Sequence, residues 1–217
     1  MKKTALFLAG TIFMLGLSSM AQAFTMTLSS GAQTVVVNDN GYNDFNSAAN
    51  SIMYSGSING ISVSAIGTSV FDPTSGSFDI SSFVFRGTGT ITIKLTDSGL
   101  ALNTLPISPN LSVSDYLSST TSSNAQLASN VLVNGVSVPG IATTVTGMGS
   151  STTSGLATVG STFSLDEVIT ATLTGGSVSI DGLVNVAPVP EPGTMLLLGI
   201  GLISLAVVSK RKMNKQA

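Results

Sequence analysis

From Thr90 to Thr96 the chain reads Thr-Ile-Thr-Ile-Lys-Leu-Thr, with an apolar residue at every second position. Successive strand side chains point to opposite faces, so this stretch can bury one face and leave the other wet. The same alternation runs through Phe24, Met26 and Leu28. β-Branched or apolar runs follow at Val35 to Val37, Val168 to Leu173 and Val178 to Val186. Ser and Thr make up nearly a third of residues 24–188, a share that would suit a disordered chain, but the density of Val and Ile argues for a packed core. Turn signals separate the runs. Asn59-Gly60 and Asn134-Gly135 are each flanked by apolar residues, the mark of a two-residue hairpin; Thr174-Gly175-Gly176-Ser177 is a third candidate, and Asp97-Ser98-Gly99 another turn. Residues 97–130 are the least regular, and Ser118 to Ser123 reads as a loop or short edge strands. Roughly ten short strands at this spacing predict an all-β fold, a single jelly-roll-like β-sandwich over 24–187. A β-solenoid would need a fixed repeat, and none is found.

Composition closes several chemistries. With no Cys and no His, a Ser-His-Asp triad, a Cys nucleophile and the common zinc, haem and iron–sulfur sites are excluded. Residues 24–188 hold two cations, Arg86 and Lys94, against nine acids, so nucleic acid is not an expected partner. Hydrolysis of a glycosidic bond would need two converging carboxylates, and nothing singles out a pair. The chain has no Trp and three Tyr for stacking sugars. The expectation is a non-enzyme.

The ends obey different rules. Lys2 and Lys3, the apolar run Ala5 to Leu17, and the small-x-small pattern Ala21-Gln22-Ala23 predict a secretory signal helix, residues 1–23, cut after Ala23 by signal peptidase. At the other end, Pro188 to Pro192 holds three of seven prolines and predicts an extended tether over 188–193. Residues 194–209 are mostly apolar and uncharged, and predict a transmembrane helix of about 24 Å. Lys210, Arg211 and Lys212 predict a membrane stop and a cytoplasmic tail over 210–217, which puts the body outside the inner membrane.

Val189-Pro190-Glu191-Pro192, the glycine-containing apolar stretch and Lys210-Arg211-Lys212, in that order at the end of the chain, resemble the PEP-CTERM sorting signal. The resemblance covers about 29 residues, Val189 to Ala217, and says nothing of the body. It implies recognition at Pro190, Glu191 and Pro192 by an exosortase, a membrane-embedded cysteine protease. It implies an exported protein, first held in the inner membrane with a periplasmic body, then passed to the cell surface or extracellular matrix. Such proteins accompany exopolysaccharide and biofilm, so a structural or adhesive role is expected. The alternative is a polysaccharide- or calcium-dependent binding module.

Candidate sites within the body are few. Asn38 to Asp44 is the densest group of oxygen ligands; Asp39, Asn40 and Asp44 would be the calcium ligands, and no other cofactor is expected. The same residues favour turns, which is the plain reading. Asp166 and Glu167 are adjacent in a strand, so they point to opposite faces and read as solvated charge. Thr88, Thr90 and Thr92 align on one strand face, but a single row is not the flat array that ice binding requires.

Overall fold

In the computed structural model, residues 24–72, 75–101, 110–120, 125–189 and 197–205 are described. Among the described residues, eleven strands form one antiparallel sheet. They are β1 (Thr25–Ser30), β2 (Gln33–Asn38), β3 (Ser51–Ile58), β4 (Ile61–Phe71), β5 (Gly76–Leu100), β6 (Asn110–Ser119), β7 (Gln126–Val133), β8 (Val136–Ser137), β9 (Thr143–Thr146), β10 (Gly149–Thr158) and β11 (Phe163–Pro188). The expected alternation appears directly: Met26 and Leu28 in β1 and Ile91, Ile93 and Leu95 in β5 are fully buried, while the threonines between them are not.

The sheet becomes two layers because β5 and β11 bend together. They pair along nearly their whole lengths, and the register slips between Thr174 and Ser177, opposite Thr88 and Arg86. Gly87 and Gly89 on β5 have φ of 143° and 130°, and Gly175 and Gly176 on β11 have φ of 129° and 85°, so four glycines free of Cβ clash form the corner. On one side of it, β5 pairs with β1 and β11 with β7; on the other, β5 pairs with β4 and β11 with β6. Strands that pass from one layer to the other at a bulge are how such corners are built. The expected body is therefore all-β and two-layered, but its layers share two strands instead of being the separate sheets of a jelly roll. Gly175-Gly176 is a corner and not a hairpin, and Asp97 to Gly99 lies within β5. Asn59-Gly60 and Asn134-Gly135 are hairpin turns as predicted, with positive φ at all four residues.

A second irregularity keeps the core continuous. Phe78 and Ile80 are buried, and so are Phe83 and Phe85, although the phase of alternation changes between them. Three steps on β5 match two on β4 between Ser64 and Ile66, and β11 slips against β5 between Ile180 and Gly182. The extra residue resets the inward phase. Phe24 of one layer meets Phe78 of the other with ring centroids 6.0 Å apart, and Phe71 meets Phe163 at 6.4 Å. Each fully buried side chain of this size contributes about 1.5–3 kcal/mol.

Candidate functional site

The phase that fills the core also carries acids. Leu165, Ile169, Ala171 and Leu173 point inward from β11, and so does Glu167, which has no exposed surface. Its neighbours in register are Leu95 on β5 and Val131 on β7, both buried. Across the core its carboxyl faces Gly182, where a Cβ would stand 2.8 Å from Oε1. Asp115 points inward from β6 between Val113 and Leu117, beside Val184. Among the described residues, no hydrogen bond reaches either carboxyl oxygen of Glu167.

Burial raises the Glu167 carboxyl well above its ordinary 4.5, and the charges of Asp115 and then Asp79 push it further. Asp115 is raised by burial too, partly offset by the Ser129 and Thr143 hydroxyls beside it. Thr143 also touches Thr153 across the layers, Oγ1 to Oγ1, at 2.8 Å. Five strands thus supply one polar seam inside the sandwich. The two carboxyls lie near enough for Asp115 to raise Glu167, and both are fully buried.

Asp166 and Glu167 take opposite faces as expected. The expectation of solvated charge fails for both. Asp166 is 4% exposed, receives a hydrogen bond of 2.6 Å from Thr96 Oγ1 and lies 3.2 Å from Lys94 Nζ, while Glu167 is enclosed. A third inward acid, Asp97, accepts a hydrogen bond of 2.5 Å from Ser69 Oγ of the opposite layer. Replacing Ser69 with Ala removes a donor from a fully buried carboxylate. The expected loss is about 1–3 kcal/mol, read from the urea midpoint of the full chain; an unchanged midpoint would mean that this bond contributes nothing.

Gly182→Ala is expected to be worse than an ordinary small substitution, because the new methyl also meets Ile169 Cδ1 at 3.1 Å. The expected loss is about 1–3 kcal/mol in thermal melts. Much of it should return when Glu167 is first shortened to Ala, since the obstructing carboxyl is then gone.

In the Asn38–Asp44 loop the acids organise backbone. Asp44 Oδ1 accepts from the N–H groups of Asn46 and Met53, and Oδ2 accepts from Asn40 N–H, each at 2.9 Å. Asp39 Oδ2 accepts from Asn50 N–H at 2.9 Å. Asn40 and Asn43 hold φ of 56° and 69°, the left-handed turn conformation. Among the described residues, no three acids gather as a metal-binding group.

The threonine row is broader than its sequence suggests. Thr88, Thr90 and Thr92 pair with Thr174, Thr172 and Thr170 of β11, which makes two ranks. Thr90 and Thr172 Oγ1 atoms lie 3.1 Å apart and those of Thr92 and Thr170 3.4 Å, the cross-strand hydroxyl pairing that stabilises sheets.

The last strand leads directly to the carboxy-terminal segment. Pro188, expected in the tether, pairs with Leu111 as the final residue of β11, and Val189 N–H donates to Asn110 O at 2.8 Å. Residues 197–205 form a helix. Among the described residues no helix is long and apolar enough to cross a membrane, and the expected span over 194–209 is described only in that part. Ala21 and Ala23, the signal helix, Pro190, Glu191 and Pro192, and Lys210, Arg211 and Lys212 lie outside the described residues.

No curated protein matches the chain. Among solved structures, the CBM36-1 domain of a multidomain xylanase from the hindgut metagenome of Trinervitermes trinervoides is similar at 12% identity and a TM-score of 0.29, over 50% of this chain and 79% of that one. TmCBM61 in complex with beta-1,4-galactotriose is similar at 12% identity and a TM-score of 0.34, over 58% of this chain and 88% of that one. The PA14 sugar-binding domain from an RTX adhesin is similar at 15% identity and a TM-score of 0.31, over 75% of this chain and 89% of that one. Scores this low leave fold and site to be argued from the chain's own geometry. The carboxy-terminal segment stands differently, because residues 188–212 match the family described as the PEP-CTERM protein-sorting motif, and this chain carries that motif at the end of its last strand.

Proposed function

We propose that the chain is an exported surface or extracellular-matrix protein, sorted by an exosortase and serving a structural or adhesive role. The observation that carries this reading is the PEP-CTERM motif at residues 188–212, which begins where β11 ends. On this reading signal peptidase cuts after Ala23 and the two-layered body folds in the periplasm. The apolar segment over 194–209, stopped by Lys210, Arg211 and Lys212, holds the protein in the inner membrane until an exosortase acts at Pro190, Glu191 and Pro192. On this reading the body is a non-enzyme; its inward acids Glu167 and Asp115 are buried, and the acids of its Asn/Asp loop are engaged with backbone.

The test is the mass of the mature protein from strains with and without the exosortase. The expected result is a shortened carboxy-terminus only where the enzyme is present. Identical carboxy-termini in both strains would overturn the sorting role.

A further inference from the structure

On the outer face beyond the corner, Ser55, Gly56, Ser62, Val63, Ser64, Val84 and Arg86 line an open groove of about 490 Å³. Strand register explains its chemistry. Ser64 sits between Ser55 and Val84, and in the next cross-strand row Ser62 sits between Ser57 and Arg86, with Ser177 on the far side of Arg86. Neighbouring strands lie ~4.8 Å apart, and residues on one strand face are ~6.8 Å apart. The face is thus a lattice of short hydroxyl side chains with one long guanidinium and one apolar patch at Val84. Small side chains leave the space; at Gly56 the Tyr54 ring fills the position that a Cβ would take, so no larger residue fits there.

Charge distinguishes this groove from the rest of the surface. Residues 24–188 carry a net −7, with Arg86 and Lys94 as the two cations. Lys94 is paired with Asp166, whereas Arg86 is exposed and has no ion pair among the described residues. On the adjacent strand the nearest acid of the same face, Asp181, stands four positions from Ser177, ~13 Å along the strand. A guanidinium in an acidic protein, set among hydroxyls and without an ion pair among the described residues, offers its two-pronged donor face to an external anion.

We infer that this groove binds a carboxylated sugar unit of an acidic polysaccharide, with Arg86 on the carboxylate and Ser55, Ser62 and Ser64 on the sugar hydroxyls. The hydroxyls supply donors and acceptors for a polyhydroxylated ring, and Val84 underlies its C–H face. A bare anion would use Arg86 alone and leave the serines without a role. The inference rests on the exported reading for its setting and names the partner which that reading leaves open.

The test uses the full chain in non-ionic detergent, run in native gels containing polygalacturonate or the neutral glucan dextran. Polygalacturonate is expected to retard the protein and dextran is not. Arg86→Gln should weaken retardation at least about tenfold, and Arg86→Lys should restore part of it, since a point charge lacks the planar fork. Ser62→Val with Ser64→Val should weaken it while leaving Arg86 in place, and Lys94→Gln should change nothing. Equal retardation of the Arg86→Gln protein, competition by inorganic phosphate as effective as that by galacturonate, or no retardation at all would each overturn the inference. The gels do not involve the exosortase, so this result and the carboxy-terminal mass fail independently.

Discussion

Glu167→Gln is expected to stabilise the protein at neutral and alkaline pH, an unusual outcome for a substitution at a fully buried position. The Glu167 carboxyl is enclosed, has no hydrogen-bond partner among the described residues and feels the charge of Asp115. Burial and like charge disfavour ionisation, so its folded value lies well above the 4.5 of the unfolded chain. Between those two values the folded state binds more protons than the unfolded state. The contribution of Glu167 to stability is therefore greatest below about pH 4.5, falls as pH rises through that window, and levels off above the folded value. Each unit of the gap is worth about 1.4 kcal/mol.

Glutamine has the shape of the protonated acid and does not titrate. Its amide can also donate toward Asp115, where a glutamate would repel. At pH 4 the variant should melt close to the parent. At pH 8 it should be the more stable of the two, and the difference in Tm should grow as pH rises from 4 to 8. Asp115→Asn should give a smaller gain of the same sign. The two gains should not add, because either substitution relieves the same repulsion. Melting curves across pH 4–9 decide the matter. A parent whose Tm rises with pH through this range, or a Gln variant that keeps the parent's slope, would show that Glu167 does not ionise at a cost in the folded protein.

The acids that make this prediction were legible in the sequence as breaks in an apolar phase. Leu165, Ile169, Ala171 and Leu173 occupy alternate positions, and Glu167 stands in the same phase; Asp115 follows Leu111 and Val113, and Asp97 follows Ile91, Ile93 and Leu95. Adjacency of Asp166 and Glu167 correctly places them on opposite faces. It does not show what covers each face, because Lys94 and Thr96 on β5 and Gly182 beyond the corner are distant in sequence. The strands and both Asn-Gly hairpins follow from local pattern alone. The corner does not. A Gly-Gly pair reads equally as a hairpin or as a bend, and only the register that sets Thr174 against Thr88, beside Gly87 and Gly89, decides between them. The two ranks of threonine depend on the same long pairing, so one strand by itself shows half of the face. The Arg86 groove is likewise assembled from β3, β4 and β5.

Replacing Pro190, Glu191 and Pro192 with three alanines is expected to abolish carboxy-terminal processing, a change from cut to uncut and not a shift in degree. The sheet holds the chain as far as Val189, whose N–H is bonded to Asn110 O. Residues 190–196 then separate that anchor from the helix over 197–205, and seven residues span at most ~25 Å. A protease that acts between the sheet and residue 197 therefore has only this short stretch of sequence in which to engage. Proline cannot join a helix interior, and it biases the residue before it toward extended backbone, so Pro190 and Pro192 favour the conformation that a protease cleft accepts. Alanine favours helix and would let the apolar helix grow toward the body. The variant should accumulate with the same carboxy-terminus as the unaltered protein in a strain lacking the exosortase. Its melting curve should match the parent's, because β11 is untouched, and this separates loss of recognition from loss of fold. Six added Gly/Ser residues after Val189, with the motif intact, should leave processing in place if the motif alone is read. A cut that persists in the alanine variant would remove Pro190, Glu191 and Pro192 from recognition. The enzyme would then have to read the apolar helix and the Lys210-Arg211-Lys212 stop instead.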